Sequence, residues 1–325
     1  MHLRHPFYKF AFRFDVERLA AEMFAIPEEA WRRHPLDYSG NSYLPLIATN
    51  ADVDSSDFES PMLPTEHLRR SSYLQQVLAQ FRTLLGRARY MRLEPGHGVP
   101  PHVDMQYYWR SHSRVHIPVV TDPAVRFHCG GESVHMAAGE AWTFDNWREH
   151  QVVNETGVRR VHLTFDTYGS TEFWELAKPL GREERAQTVP FRPGAVPKLM
   201  FETYDGDPVM PPGELELELS RLLADAAAVP GNDPNALAHV RATTDSLIKE
   251  WRVLWHLHGP TDEGMTGFAA LANWAVGTAA ALPPTLRLAS NGSALAPVLK
   301  ATFNALLKPS AIARLREGTR AAAAH

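Results

Sequence analysis

The chain has 325 residues, 44% of them hydrophobic and 22% charged, which is typical of a globular protein with one large domain and an appendage. Its 33 basic and 37 acidic residues give a net charge of −4, so neither nucleic acid nor an anionic membrane is an expected partner. The single cysteine, Cys129, excludes an intrachain disulfide. The first thirty residues are charged and do not resemble a secretory signal, so we expect a cytoplasmic protein.

Up to about residue 86 the sequence predicts two helices separated by a polar segment. Asp15 is the expected N-cap of the first helix. Its apolar face would contain Val16, Leu19, Met23 and Phe24. The second helix is predicted between Ser72 as its N-cap and Gly86 as its end, because the apolar residues from Leu74 to Leu85 keep helical spacing. Residues 37–64 are rich in Ser, Asn, Asp and Pro and predict a loop with one strand near residues 43–48.

From Arg87 to Asp166 the apolar pattern changes to the period of two that is typical of strands. Short β-branched and aromatic runs alternate with turn residues. The eight predicted strands are 89–93, 102–105, 114–120, 125–129, 132–136, 140–144, 149–153 and 158–165. Such short, closely spaced strands favour a mainly β core with an antiparallel sandwich or jelly-roll fold over alternating βαβ units.

The last third of the chain differs in texture. Residues 179–212 contain seven prolines, so we interpret them as a connector. The following residues predict helices, including a buried one over the uncharged stretch 265–282. We therefore predict a β domain with N-terminal helical elements over residues 1–178, the connector, and an α-helical region over residues 213–325. The helical region would cover the mouth of the β domain or form the surface of a homodimer.

Two histidines and one aspartate of the β region are candidate metal ligands. His102 and Asp104 lie at positions i and i+2 of a predicted strand, so their side chains would point to the same face. His150 begins another predicted strand 46 residues after Asp104. Two imidazoles and a carboxylate form the facial triad of non-haem Fe(II) oxygenases, which leaves positions open for a bidentate cosubstrate and dioxygen.

Arg160 is the candidate for binding the carboxylate of such a cosubstrate. If residue 153 pairs with Gly157 across a three-residue hairpin loop, Arg160 lies directly opposite His150 and on the same face. A guanidinium in that place would bind the far carboxylate of 2-oxoglutarate in a bidentate fork. Arg114 and His116, at i and i+2 of another predicted strand, offer two further donors.

Simpler interpretations of the same residues stay open at this stage. His102 and Asp104 could lie in a surface loop, because a chain with sixteen histidines will contain such triplets by chance. Other histidines that could replace His150 as the third ligand are His128, His135 and His162. Arg160 could instead pair with Glu149 or Asp166. Arg114 and His116 could be solvated residues at a sheet edge.

Several ordered motifs in this region resemble those of a known family. They are Arg-Ala-Arg-Tyr-Met-Arg-Leu-Glu-Pro-Gly at 87–96, His-Val-Asp at 102–104, Arg-Val-His-Ile-Pro at 114–118, Gly-Glu-Ala-Trp-Thr-Phe-Asp-Asn at 139–146, His-Gln-Val-Val-Asn at 150–154 and Arg-Val-His-Leu-Thr-Phe-Asp at 160–166. Together they are similar to the aspartyl/asparaginyl β-hydroxylase family. They also resemble its bacterial L-proline cis-4-hydroxylase branch, which has the carboxylate ligand and a helical C-terminal region.

The resemblance implies a double-stranded β-helix (a cupin-like jelly roll) and a 2-oxoglutarate-dependent dioxygenase. Such an enzyme hydroxylates a C–H bond of an amino acid, free or within a peptide, and releases succinate and CO2. The implied Fe(II) ligands are His102, Asp104 and His150. The implied contacts of 2-oxoglutarate are Arg160, Arg114 and His116.

Two positions limit what the resemblance carries over. The animal aspartyl hydroxylases have a glycine in place of Asp104, so rules about their peptide substrates do not transfer. A serine that they use for the cosubstrate falls on Met91.

The substrate pocket is expected near Arg110 and near the loop 40–43. The residues expected beside Arg110 are Gln106, Tyr107, Tyr108 and Trp109. Two rival functions use the same fold: a cupin-type metalloenzyme without oxidative chemistry, and a non-catalytic jelly roll that binds a small ligand. Neither rival needs Arg160 near the metal ligands.

Overall fold

The computed structural model describes residues 2–36, 38–182, 184–204 and 206–323. Asp37, where the predicted N-terminal loop begins, lies outside the described residues. The chain forms two compact units, one of Met1–Asp104 with Tyr108–Asp205 and one of Met105–Tyr107 with Gly206–His325. The three-part division at residues 178 and 212 stays a prediction.

The first unit contains the strands of the described chain. They are β1 Phe7–Phe10, β2 Phe12–Phe14, β3 Arg32–Arg33, β4 Asn41–Thr49, β5 Met62–Pro64, β6 Leu84–Leu93, β7 Gly98–His102, β8 Ser113–Val120, β9 Arg126–Cys129, β10 Glu132–Val134, β11 Ala141–Phe144, β12 His150–Val153, β13 Arg160–Thr167, β14 Ala177–Pro179, β15 Gln187–Val189 and β16 Met200–Phe201. The helices of both units are α1 Val16–Phe24, α2 Glu66–Arg70, α3 Ser72–Ala79, α4 Thr171–Leu176, α5 Pro212–Ala227, α6 Pro234–His258, α7 Met265–Ala280, α8 Leu295–Asn304 and α9 Pro309–Ala323.

Two sheets form the β core. The large sheet has the order β14-β1-β11-β8-β13-β6-β4-β3, with β5 beside β4 and β16 beside β6, and the small sheet has the order β10-β9-β12-β7. Apolar side chains from both sheets pack in one cluster, for example Phe144 of the large sheet with Phe127 of the small one. The opposite face of the large sheet packs on α1 and α3. The fold is therefore the predicted cupin-like jelly roll, in which a period-two pattern gives each sheet one inward face.

The N-terminal helices agree with the sequence in part. Asp15 caps α1 as predicted, since its carboxylate accepts a hydrogen bond from the Arg18 backbone N–H. The second predicted helix is wrong at both ends: α3 is preceded by Ser71 as its cap residue and ends at Ala79. The chain then turns at Arg82, whose φ is 49°, and residues 84–85 enter β6. Pairing with β13 outweighs the helical spacing of those leucines.

The second unit is helical, as predicted for the end of the chain. The stretches 214–219 and 265–282 lie largely in α5 and α7. Its core contains Trp251 of α6, whose ring meets Phe268 of α7 at 4.7 Å and whose indole N–H donates to the Met210 carbonyl. None of the described helices is both long and apolar enough to cross a membrane.

Candidate metal centre

The candidate ligands His102, Asp104 and His150 come together in the first unit. One ligand atom from each lies within 4.8 Å of the other two. His102 is the last residue of β7 and His150 the first of β12, and the two residues are paired across the small sheet. Asp104 follows β7 in a turn, where its backbone N–H donates to the Asn146 carbonyl.

The prediction that His102 and Asp104 share one strand was wrong. The strand ends at His102, and Asp104 lies two residues beyond it. Their ligand atoms still converge, as one atom of each lies within 4.8 Å of the other. The three possible substitutes for His150 as third ligand lie outside this cluster of described residues: His128, His135 and His162. His128 is paired with Gln151, so it lies on the other face of the small sheet from His150.

Hydrogen bonds fix the proton on each ligand histidine. Nδ1 of His102 lies 2.8 Å from the Pro100 carbonyl, and Nδ1 of His150 lies 2.9 Å from the Arg148 carbonyl. Because a carbonyl can only accept, both Nδ1 atoms carry the proton, and both Nε2 lone pairs are free to bind a metal. Burial lowers the pKa of His150 to about 4, although the charge of Asp104 opposes this shift, so its imidazole is neutral near pH 7.

The donor set fits a ferrous ion. Nε2 of His102 lies 3.9 Å from Oδ1 of Asp104, and Nε2 of His150 lies 4.0 Å from Oδ2 of Asp104. These separations exceed a hydrogen bond, so the three donor atoms face one another without bonding and would hold the ion between them. Two neutral imidazoles and one carboxylate are the ligands of the non-haem Fe(II) facial triad.

The predicted hairpin that placed Arg160 opposite His150 was also wrong. The strand β12 pairs with β7 and β9 in the small sheet, whereas β13 pairs with β6 and β8 in the large one. The connection between them is held by Asn154, whose amide donates to the carbonyls of Glu94 and Val158. Gly157 has no positive φ, so the expected bulge does not form. Arg160 lies opposite Leu93 of β6 instead.

Arg160 is buried on the inward face of the large sheet without a carboxylate. Its side chain is 4% exposed, and Nη2 donates to Nδ1 of His162 at 2.7 Å. Its Nε has no hydrogen-bond partner among the described residues, and neither Glu149 nor Asp166 pairs with it. Burial lowers the pKa of Arg160 to about 9. A buried cation of this kind requires an anion from outside the described chain.

His116 is buried in β8 and Arg114, whose side chain is 20% exposed, is half-buried there; β8 is an interior strand between β11 and β13, so they are not solvated edge residues. The Nε and Nη2 atoms of Arg114 donate to the two oxygens of Asp166 at 2.8 and 3.1 Å. Burial would lower the pKa of Arg114, but the charge of Asp166 outweighs it and raises that pKa above the usual value. The His116 ring packs edge-on against Phe127 and Phe144. That these two residues contact 2-oxoglutarate stays a prediction.

Sequence reasoning missed Arg89 of β6. Arg89 is 5% exposed, and its guanidinium lies 4.0 Å from the centre of the Tyr43 ring. Its Nε and Nη2 atoms have no hydrogen-bond partner among the described residues. Burial and the neighbouring charge of Arg87 lower the pKa of Arg89 to about 9. The triplet Arg-Ala-Arg at 87–89 could have pointed to Arg89. Arginines at positions i and i+2 of a strand share one face, so both side chains of this triplet lie on the same side of the sheet.

The expected pocket residues have mixed outcomes. Tyr43 of the loop 40–43 lies in β4 and contacts Arg89, whereas Arg110 stacks on the Trp147 ring at 3.7 Å. The Tyr108 ring is stacked on His112, and Trp109 is buried. Both side chains therefore have a packing role. Gln106 and Tyr107 belong to the second unit.

Part of the chain matches a known protein family. Residues 18–169 match the sequence model described as Aspartyl/Asparaginyl beta-hydroxylase. This part of the chain is similar to that family. The aspartyl/asparaginyl β-hydroxylases are Fe(II)- and 2-oxoglutarate-dependent hydroxylases, an enzyme class that acts on a substrate with dioxygen, and residues 18–169 are similar to them.

Solved structures with a similar fold share little sequence with the chain. A prolyl-4-hydroxylase from Pseudomonas putida is 17% identical, with a TM-score of 0.36, over 50% of this chain and 92% of that one. A 2OG-Fe(II) oxygenase family oxidoreductase from Burkholderia pseudomallei is 12% identical, with a TM-score of 0.34, over 48% and 80%. A cupin domain from Bordetella pertussis is 22% identical, with a TM-score of 0.21, over 25% and 79%. No curated protein matches the chain significantly.

Proposed function

We propose that the chain is an Fe(II)- and 2-oxoglutarate-dependent dioxygenase that hydroxylates a C–H bond of an amino acid, free or within a peptide. The observation that carries the proposal is the buried Arg160, which has no carboxylate partner among the described residues and lies on the inward face of the large sheet, where the ligand His150 packs against Phe144. A cupin-type metalloenzyme or a simple binding module has no need of such a cation.

His102, Asp104 and His150 are the proposed ligands of Fe(II). The bound ion, with 2-oxoglutarate and dioxygen, supplies the oxidising power and yields succinate and CO2. The Nδ1–H of each histidine donates to a backbone carbonyl, that of Pro100 or of Arg148, which leaves Nε2 as the atom that would bind the metal. Imidazole and carboxylate ligands tolerate this chemistry, whereas a thiolate would itself be oxidised.

Arg160 is the proposed anchor of the far carboxylate of 2-oxoglutarate. A guanidinium binds a carboxylate through two parallel hydrogen bonds, and the unpartnered Nε of Arg160 is one available donor. The carboxylate would also neutralise a buried charge that the described chain leaves unpaired. Arg114 is a weaker candidate for this contact because two of its donors already bind Asp166.

Arg89 is the proposed anchor of a substrate carboxylate. A free amino acid carries an α-carboxylate, and in a peptide an acidic side chain or the C-terminus supplies one. Arg89 has two unpartnered donors, and its interaction with Arg114 places it in the charged region that also surrounds Asp104. It replaces Arg110, which stacks on Trp147, as the best candidate.

The proposal is tested by adding Fe(II) and then 2-oxoglutarate to the metal-free protein without oxygen. We expect a metal-to-ligand charge-transfer absorption, which is absent in His102→Ala and Asp104→Ala. His128→Ala is the matched control, because His128 lies on the opposite face of the small sheet from His150, and it should keep the absorption. A wild-type protein that binds the metal but shows no absorption would favour the cupin-type reading.

Turnover then defines the substrate. Succinate release after admission of oxygen should rise with the right compound, and free amino acids and short peptides are the panel to screen. A protein that releases no succinate with any of them, and none without substrate, would favour the non-catalytic binding module.

A further inference from the structure

The guanidinium of Arg160 has a single hydrogen-bond partner among the described side chains, His162. The two residues are at i and i+2 of β13, on the same inward face, and Nη2 of Arg160 lies 2.7 Å from Nδ1 of His162. Both residues are buried, with 4% and 2% of their surface exposed. Water therefore cannot take over this hydrogen bond if His162 is removed.

The protonation of His162 follows from its partners. A guanidinium can only donate, so Nδ1 of His162 must be unprotonated and its proton must be on Nε2. Nδ1 of His116 lies 3.3 Å from the same atom of His162. Two bare nitrogens would repel each other there, so we infer that His116 carries its proton on Nδ1 and shares the one lone pair of His162 Nδ1 with Arg160 in a three-centre hydrogen bond. Burial and the charge of Arg160 lower the pKa of both histidines well below the usual value, which keeps the pair neutral.

The two residues paired with His162 on the neighbouring strands do not offer a strong acceptor side chain. His162 is paired with Met91 on β6 and with Pro118 on β8. A thioether is a weak acceptor, and proline offers no polar side chain. Met91 occupies the position at which the resemblance implied a serine for the cosubstrate. The polar side chain at this level is therefore His162, from β13 itself.

We propose that His162 is a positioning residue for 2-oxoglutarate: its Nδ1, held in the accepting state by the His116 N–H, fixes the orientation of the Arg160 guanidinium. The inference rests on the proposed function, because Arg160 is there the anchor of the cosubstrate. Arg160, His162 and His116 thus form a hydrogen-bonded series of one cation and two neutral rings. The series orients the guanidinium without cancelling its charge. A carboxylate in place of His162 would neutralise Arg160 and remove its affinity for the cosubstrate.

The first test measures the tautomers in the metal-free, full-length protein labelled with 15N-histidine. The ring nitrogen shifts should place the proton of His162 on Nε2 and that of His116 on Nδ1. Signals are assigned by comparing the wild type with His162→Gln and His116→Gln. A proton on Nδ1 of His162 would overturn the proposal, whatever the protein does with 2-oxoglutarate.

The second test separates cosubstrate binding from metal binding. In anaerobic Fe(II) protein, His162→Phe should weaken 2-oxoglutarate binding, read from the charge-transfer titration, by about 10- to 100-fold, the effect of one hydrogen bond to a charged group. The affinity for Fe(II) should stay unchanged. His162→Gln, whose amide oxygen can still accept from Arg160, should recover part of the loss. His239→Phe, at an exposed histidine of α6, is the control for the same chemical change.

The possible results are distinct. A His162→Phe protein that binds 2-oxoglutarate within twofold of the wild type overturns the positioning role. An equal loss of Fe(II) affinity would mean a general structural role and also overturns it. If the wild type itself does not bind 2-oxoglutarate, the proposed function fails, and the tautomers still decide whether His162 accepts from Arg160. If His162→Phe does not fold, His162→Gln and the tautomers carry the test.

Discussion

An arginine lies at each end of β13, and the two arginines differ in their hydrogen-bond partners. Near the C-terminal end, Asp166 accepts two hydrogen bonds from Arg114, and Arg87 lies 3.6 Å from the same carboxylate. At the N-terminal end, about 20 Å away by strand rise, Arg160 hydrogen-bonds among the described side chains to the neutral His162. The pKa of Arg114 is raised by its carboxylate, whereas burial lowers the pKa of Arg160 to about 9.

The difference separates a structural ion pair from a binding group. A buried charge with a protein partner is already compensated and has little to offer a ligand. A buried charge without a partner destabilises the folded chain until an anion arrives. Arg89, which also lacks a carboxylate partner, belongs with Arg160 in this comparison.

The largest expected effect is on stability at the Asp166 end. Asp166→Ala should lower the free energy of unfolding by about 3–5 kcal/mol, because the buried Arg87 and the half-buried Arg114 would both be left without a compensating charge. Urea unfolding followed by circular dichroism measures this. A loss below about 1 kcal/mol would mean that the ion pair is not what distinguishes the two ends.

Removing the charge of Arg160, at the other end of β13, should not lower the free energy of unfolding. Arg160→Met should leave the free energy of unfolding unchanged or raise it slightly, because a buried charge without a partner is removed. It should weaken 2-oxoglutarate binding by about 100-fold, since a bidentate charge-assisted contact is lost. The control is Arg159→Met, because Arg159 is half exposed and pairs with Glu94. Strong destabilisation by Arg160→Met, with unchanged cosubstrate affinity, would reverse the comparison.

Arg89→Met should have a smaller and more specific effect. We expect the KM of the substrate found by the screen to rise about tenfold, while the affinity for 2-oxoglutarate and the succinate released without substrate stay the same. Stability should not fall, as for Arg160→Met. Loss of cosubstrate affinity without a change in substrate KM would assign Arg89 to the 2-oxoglutarate site instead.

The smallest expected effect, on the free energy of unfolding, is that of a helix cap. Asp15→Ala removes the side-chain cap of α1 and should lower the free energy of unfolding by about 1 kcal/mol without changing metal or cosubstrate binding. Unfolding in urea next to Asp166→Ala compares an exposed cap with a buried ion pair. Equal losses in the two variants would show that burial adds nothing at Asp166.

Much of the fold could be predicted from the sequence because it depends on local patterns. The period of two from Arg87 to Asp166 indicates short strands, and Asp15 marks the start of α1. Residues 84–85 show the limit of this reasoning. Their leucines continue a helical spacing, but β13 offers them a sheet neighbour, and that contact is not visible in the local sequence.

The sequence by itself determined which residues carry the candidate chemistry, since His102, Asp104, His150 and Arg160 were identified by residue type and order. Only the tertiary structure decided how they meet: β12 and β13 lie in different sheets, and Asp104 reaches the site from a turn. The tertiary structure also decided that Arg114 has a carboxylate and Arg160 has none. The physical reason is that strand pairing between distant segments is set by the packing of the two sheets, whereas the local pattern specifies only which face of a strand is buried.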